Sequence, residues 1–532
     1  MKKKWIATIV MTAMLCGLLV GCGDAGEAGS SGSGGQPSMS DVTDGENVED
    51  SSFGGEDDQR EAALTTQSVV DKGVIKLRFI FYGDMTARRE EYFKTDFHDR
   101  VLNDLNIDLT VETLPWGSAN NVATMLASGE AFACYWNTSS GPDWPSKGYL
   151  SPIDYEMIQA LCPNLIQARG ENNGFECVKY NGEIYGIPFG NKPYSGSTQA
   201  FDVRNDILRG CGYEASDIHT YDQLMEVIAA VHEKYPNLRI LRSSGFLANA
   251  LRTELSDQVF GVADLSPTFA YVDELEEGDQ VYSYYESETY KNICRISAEW
   301  AELGYISKDE LTNPTQGVAD WESGNCLFCY GMPGAYISTS LKMANPDAEE
   351  KLIVLDGIQK IKGNDYDWGI AISATDGEHT DRWLTLFNWM YQDQEHYNFC
   401  VYGVEGKDFV YNEDGTINRL CADSFIDSWF MEAIPYNIYD PSISQESIEL
   451  YINWDNDAVT AKSTGFQFDS SPVSSELAMM TAVYDEMLKP MSIGLLDFDK
   501  NYADAVKQLK DAGLDAYLAE YQRQFTEWYE EK

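Results

Sequence analysis

Val74-Ile75-Lys76-Leu77-Arg78-Phe79-Ile80-Phe81 mixes apolar and alternating positions and reads as a β-strand. Tyr82-Gly83-Asp84 follows as a turn. Residues 87–105 then place Tyr92, Phe93, Phe97, Val101, Leu102 and Leu105 at helical spacing. Ile107-Asp108-Leu109-Thr110-Val111-Glu112 is a second strand, residues 119–127 a short helix closed by Ser128-Gly129, and Ala131-Phe132-Ala133-Cys134-Tyr135 a third strand. This β-α-β-α-β alternation predicts a mostly parallel, doubly wound sheet, and the fold class is α/β. Ligands on such sheets sit beyond the carboxyl ends of the strands, where Tyr82-Gly83-Asp84 and Trp136-Asn137-Thr138 fall.

Outward from this core, the pattern turns helical. Residues 220–235 start at a plausible N-cap, Thr220, and stop before Pro236. Residues 287–303 form another helix, ended by Gly304, and residues 380–400 a long amphipathic one carrying Trp383, Leu384, Phe387, Met390 and Tyr391. Three more helices are expected near 475–488, 503–512 and 514–531. No internal repeat is visible.

The N-terminus sets the compartment. Lys2, Lys3 and Lys4 precede an apolar run from Trp5 to Val20, about as long as a signal h-region and short for a membrane span. Leu19-Val20-Gly21-Cys22 then resembles a bacterial lipobox, in which the cysteine is lipidated and becomes the mature N-terminus; an ordinary secretory signal is the alternative. The stretch after Cys22 is rich in Gly, Ser, Asp and Glu, including Ser30-Ser31-Gly32-Ser33-Gly34-Gly35, and reads as a flexible tether. No other stretch is long and apolar enough to span a bilayer. The expected location is the outer face of the cell membrane, on a lipid leash.

The chain has 532 residues, 38 Lys+Arg and 86 Asp+Glu, for a net charge of −48. Removing the signal takes away three lysines, leaving 35 bases against 86 acids and a charge of −51. Such a balance excludes nucleic acid as a natural partner and disfavours adhesion to an anionic bilayer, so contact with the membrane is expected through the anchor alone. Beyond Cys22 there are nine cysteines, an odd number that cannot pair completely. Cys326 and Cys329 form C-x-x-C within Asn325-Cys326-Leu327-Phe328-Cys329-Tyr330, an apolar run that reads as a buried strand. A zinc or redox pair is the competing reading, but no second C-x-x-C or histidine cluster completes a site. Asp497-Phe498-Asp499-Lys500-Asn501 begins like a calcium loop and fails at Tyr502 and Gln508. No metal and no cofactor are expected.

Several segments in order resemble the type 1 extracellular solute-binding proteins of ABC importers, in the lipoprotein branch with an extra C-terminal region. They are residues 125–130, Tyr180-Asn181-Gly182-Glu183-Ile184-Tyr185-Gly186-Ile187-Pro188, residues 203–208 with 220–224, Trp321-Glu322-Ser323-Gly324-Asn325, Tyr402-Gly403-Val404-Glu405-Gly406-Lys407-Asp408, and residues 465–473 with 512–515 and 520–524. The pattern departs from the family at Ala131-Phe132-Ala133-Cys134, where an aspartate is usual. The resemblance implies a two-lobed periplasmic-binding-protein-like fold, with doubly wound sheets joined by a hinge. It implies a signal peptide at 1–21, a disordered acidic Gly/Ser linker at 22–72, a first lobe of 73–188 and 328–374, and a second of 189–327 and 375–532. It also implies capture of a carbohydrate, an oligosaccharide above all, between the lobes, and delivery to permease subunits by a monomer that is not an enzyme.

Sugars offer apolar C–H faces and many hydroxyls, so aromatic planes and planar polar groups are the natural lining. Asp84, Trp116, Trp136, Asn137, Tyr194, Arg204, Trp368, Trp429 and Tyr436 are the candidate ligand residues, with the ion-pair partner of a nearby acid as the competing reading of Arg204. Trp144 and Glu405 are secondary candidates, and Trp300, Trp383, Trp389 and Trp528 read as packing. A peptide binder on the same scaffold and a secreted glycoside hydrolase remain alternatives. The hydrolase needs two carboxylates across a cleft, and 86 acids make candidate pairs uninformative. His232-Glu233 lacks the second histidine of a zincin, and neither a G-x-S-x-G elbow nor a P-loop occurs.

Overall fold

The structure, a computed structural model, describes residues 64–532 except 116–117, 139–140, 142, 170–174, 189–199, 248–267, 275, 314, 331–338, 358–359, 363–367, 427, 432, 440–442 and 444. The side chains of Trp368 and Trp429 are also outside the described set. The signal, Cys22, the tether to residue 63, Trp116 and Tyr194 lie outside the described residues. The chain divides into residues 1–62 and 63–532, and everything below concerns the second unit.

The organising strands are, in chain order, β1 (Ile75–Tyr82), β2 (Ile107–Leu114), β3 (Ala133–Asn137), β4 (Ile187–Pro188), β5 (Phe201–Arg204), β6 (Arg239–Leu241), β7 (Cys326–Tyr330), β8 (Glu350–Ile353), β9 (Ile361–Lys362), β10 (Trp368–Ile372) and β11 (Val459–Thr460). The first sheet has the order β2-β1-β3-β10-β4. β1 runs parallel to β2 from Ile75↔Ile107 to Tyr82↔Leu114 and parallel to β3 at Phe79↔Ala133. β10 is antiparallel to β3 and to β4. The second sheet has the order β8-β5-β7-β6, with β5 antiparallel to both neighbours and β6 parallel to β7. The parallel arrangement read from the sequence therefore describes β1–β3, while the sheets as wholes are mixed.

The first sheet is buried because both faces are covered. Phe79 lies 5.6 Å, edge-on, from Trp383 and 6.1 Å from Phe387, both on the helix Thr380–Met390. All but one residue of that helix is buried, so it is a core helix rather than an amphipathic surface one. The expected helix over 380–400 is two helices, Thr380–Met390 and Gln394–Tyr402. Asp393 starts the second by accepting from the His396 amide at 2.9 Å. The helix Tyr221–Lys234 carries a full capping box between Thr220 and Gln223.

The lobe boundaries expected from sequence require correction. Residues 328–353 do not return to the first lobe: Phe328 pairs with Val203 on one side and Leu241 on the other, which completes the second sheet. Residues 376–433 do not belong to the second lobe: the first core continues through Trp383, Phe387, Cys400 and Phe425 to Ala433. The second core runs from Phe201 to Leu355 and is finished by Val473 to Phe525. The C-terminal helices Ser474–Val483, Phe498–Asp511 and Leu514–Glu531 are thus built into the second lobe; Tyr290 donates to the Leu488 carbonyl at 2.8 Å and Tyr502 to that of Tyr285 at 3.0 Å. The chain passes between the cores between 188 and 201, between 355 and 368, and between 433 and 473. The linker also ends earlier than 72. Thr65 caps a helix, Thr66–Val70, and Val69 is fully buried in the first core.

The described cysteines Cys134, Cys162, Cys211, Cys294, Cys326, Cys400 and Cys421 are free thiols. Cys326 is buried and Cys329 half-buried on β7. Among the described residues no His/Cys/Asp/Glu group suits a metal, and no helix is long and apolar enough to cross a membrane. Asp497 begins a helix, accepting from the Lys500 amide at 3.1 Å, which is the use of that acidic turn.

Candidate functional site

The crossings fix which ends of the sheets face one another. The first leaves β4 at Pro188, level with the carboxyl ends of β1–β3, and enters β5 at Phe201, which pairs with Tyr330 at the carboxyl end of β7. The second leaves the carboxyl end of β8 and enters β10 at Trp368, opposite Asn137. Short connections between the same two ends turn both carboxyl edges toward the crossings, the position where open α/β sheets take ligands.

On the first edge, Gly83 donates its amide to the Leu114 carbonyl at 2.8 Å and the chain then turns out at Asp84. The buried Arg89 guanidinium holds this turn from below, donating to the carbonyls of Asp84 and Phe425 at 2.8 Å each. Thr86 accepts from the Arg89 amide at 3.1 Å and donates to Asp423 at 2.9 Å. The result is a fixed backbone with the Asp84 side chain exposed. Asn137, half-buried, ends β3 in register with Trp368. Asp84, Asn137 and the Trp368 backbone are therefore the candidates that the fold gathers on one edge.

Three candidates are corrected. Trp136 is 1% exposed: β3 is an inner strand, and the indole donates to the Gly141 carbonyl at 2.9 Å inside the first core. Arg204 is the ion-pair partner rather than a ligand contact, forking onto Asp206 at 2.8 and 2.7 Å and donating to the Gly324 carbonyl at 3.1 Å. Tyr436 is half-buried against Tyr397, 5.5 Å between rings, with its hydroxyl on the Tyr391 carbonyl at 3.2 Å. Trp144 is buried too, its ring closed over Gly141, where a Cβ would lie 2.5 Å from it.

The second edge holds polar groups that the aromatic criterion missed. Arg242, Ser243 and Ser244 follow the carboxyl end of β6. Glu310, from a turn some 66 residues later, accepts from the Ser243 hydroxyl at 2.9 Å and the Ser244 amide at 2.6 Å, both through Oε1. Arg242 donates to Cys329 Sγ at 3.1 Å. Burial, with the Glu350 carboxylate beside it, pushes the Asp202 carboxyl well above the usual range. Gly317 lets the helix Gln316–Glu322 lie directly on this loop: a Cβ there would sit 1.8 Å from the Arg242 carbonyl oxygen. The sequence signal was Ser243-Ser244-Gly245 at the end of a short apolar strand; Glu310 carries no local signal at all.

Two lobes, mixed sheets and facing carboxyl edges define the fold of the two-domain solute-binding proteins. An N-glycan transport solute binding protein, NgtS, from Streptococcus pneumoniae superposes with a TM-score of 0.67 at 19% identity, over 86% of this chain and 99% of that one. The alginate-binding protein AlgQ2 superposes with a TM-score of 0.61 at 16% identity, over 88% of this chain and all of that one. In sequence, a carbohydrate ABC transporter substrate-binding protein of Streptococcus pneumoniae is 23% identical over 484 residues, 87% of this chain and 92% of the relative. Residues 462–530 match a family described as a domain of unknown function, DUF3502. The chain is thus similar, in sequence and in fold, to substrate-binding proteins of ABC transporters.

Proposed function

We propose that the chain is the lipid-anchored substrate-binding component of an ABC importer, which closes its two lobes on an oligosaccharide and presents it to the permease. The observation that carries this reading is the facing pair of carboxyl edges, one bearing Asp84 and Asn137 and the other Ser243, Ser244 and Glu310, in a chain whose relative handles carbohydrate. Hydroxyl-rich solutes need such acceptors and donors on both sides, and closure follows if the solute binds the closed state more tightly. Nothing in this role requires turnover.

The test is thermal melting of residues 23–532 with oligosaccharides of several linkages and with short peptides. A solute at 100 times its dissociation constant adds about 2.7 kcal/mol of stability. Stabilisation by a saccharide recovered unchanged is the expected result. Stabilisation by peptides alone overturns the solute class, and a cleaved saccharide overturns transport in favour of hydrolysis. The anchor is tested separately: Cys22→Ala is expected to release the protein from cells into the medium, and retention on the membrane would remove the lipid from the proposal.

A further inference from the structure

We infer that Glu310 and Ser244 form a dedicated receptor for one solute hydroxyl, and so determine specificity from the second lobe. The inference rests on the saccharide reading above. Its starting point is an imbalance. Glu310 Oε1 accepts two hydrogen bonds, but Oε2 of the same carboxylate is shielded from solvent and, among the described residues, has no hydrogen-bond partner. The neighbouring Ser244 is fully buried, and its Oγ is likewise without a partner among the described residues.

Buried polar atoms are satisfied in the great majority of cases, and an unsatisfied one costs about 1–3 kcal/mol. Two such atoms, on a loop residue and on the carboxylate that holds its amide, mark a position prepared for something else. The chemistry of the pair is complementary. A carboxylate oxygen only accepts, whereas a serine hydroxyl both donates and accepts. A single hydroxyl that donates to Oε2 and accepts from Ser244 satisfies both. Water and a sugar hydroxyl share this chemistry; the location, after β6 on the carboxyl edge that faces the first lobe, favours the sugar.

The loop is also rigid enough to discriminate. Ser243 and the Ser244 amide are tied to Oε1, Arg242 is tied to Cys329, and Gly317 presses the adjacent helix onto the Arg242 carbonyl. A fixed receptor that expects a hydroxyl rejects the deoxy analogue strongly, because its own polar atoms are then left unpaired.

The test compares wild type with Glu310→Gln and Ser244→Ala. In Glu310→Gln the amide oxygen keeps the Ser243 and Ser244 bonds, while the acceptor at the Oε2 position becomes a donor. With the saccharide that stabilises wild type, Kd is expected to rise about tenfold or more for Glu310→Gln and less for Ser244→Ala, with ligand-free melting temperature unchanged or higher. A Kd within twofold of wild type in both variants overturns the inference. So does a ligand-free melting temperature several degrees lower in Glu310→Gln, because Oε2 would then be serving the fold through a bound water. If wild type binds no saccharide, the function reading fails, and the ligand-free melting comparison still decides whether the pair is spare to the fold.

Discussion

Replacing Arg88 by methionine is expected to destabilise the folded chain by about 3–5 kcal/mol, the cost of stranding a buried carboxylate without its counter-charge. Arg88 forks onto Asp408 at 2.7 and 2.6 Å and reaches Asp96 at 3.1 Å. The Asp408 side chain is 1% exposed, and its Oδ2 also accepts from the Val404 amide at 2.9 Å. Burial alone would raise this carboxyl; the guanidinium and the amide outweigh it and hold it below the ordinary range. A group depressed in this way contributes stability above its unfolded pKa, near 4, that is lost as pH falls through the folded value. Urea midpoints should therefore separate wild type from Arg88→Met widely at pH 7, and the gap should narrow in acid, where Asp408 in the variant is protonated. Arg88→Met with Asp408→Asn should recover part of the loss, since both charges are gone. A single-variant midpoint equal to wild type at pH 7 would dismiss the argument. The consequence for function is local: Arg88 lies one turn beyond Asp84, so the pair pins the helix Ala87–Lys94 that carries this edge of the site.

That pair shows what the sequence made legible and what it hid. The segment Tyr402-Gly403-Val404-Glu405-Gly406-Lys407-Asp408 stood out for its resemblance, but Glu405 is exposed and the working residue is Asp408. Its partner lies 320 positions earlier, and no local pattern encodes that distance. Gly403 is explained only by the fold: at φ +88°, a Cβ there would lie 2.2 Å from the Phe425 ring. The first three strands and the helices at 221–234, 288–302 and 514–531 were legible because periodicity and caps are local signals. The second and third crossings were not, since an apolar strand such as Cys326-Leu327-Phe328 fits either sheet until its partners are known. Aromatic residues after strands misled in the same way. Trp136 lies within β3, an inner strand that buries both faces, and the indole is core. The polar second edge went unseen because Glu310 acts at a site assembled from distant segments.

Trp454→Ala is expected to cost about 3–5 kcal/mol and, beyond that, to uncouple the lobes. Trp454 is 2% exposed in a small apolar cluster belonging to neither main core. Ala200, just past the first crossing, is in it; Leu352 and Val354, entering the second, pack against it; Tyr439, Ile443, Ile448 and Tyr451 come from the third. Lys360, on the second crossing, places its ammonium 4.6 Å from the Trp454 ring and pairs with Asp457 at 2.9 Å. One step on, β9 and β11 run parallel at Ile361↔Val459, with the Val459 amide on the Lys360 carbonyl at 3.0 Å. All three passages are thereby tied to one indole, and a change in any of them must repack it. Lobe closure has to work through these passages, so removal of the ring should shift the open-to-closed balance as well as the stability. Calorimetry of the ligand-free protein reads the first effect: Trp454→Ala should lower the midpoint and split unfolding into two transitions, one per lobe. Saccharide titration reads the second, as a Kd changed by a residue on neither carboxyl edge. Lys360→Met serves as the control. Its partner Asp457 is 72% exposed, so loss of that ion pair should cost no more than about 1 kcal/mol, and any larger effect must come through the ring and the β9–β11 ladder. A Trp454→Ala protein with an unchanged midpoint, a single transition and wild-type Kd would show that the three passages are joined only by the backbone.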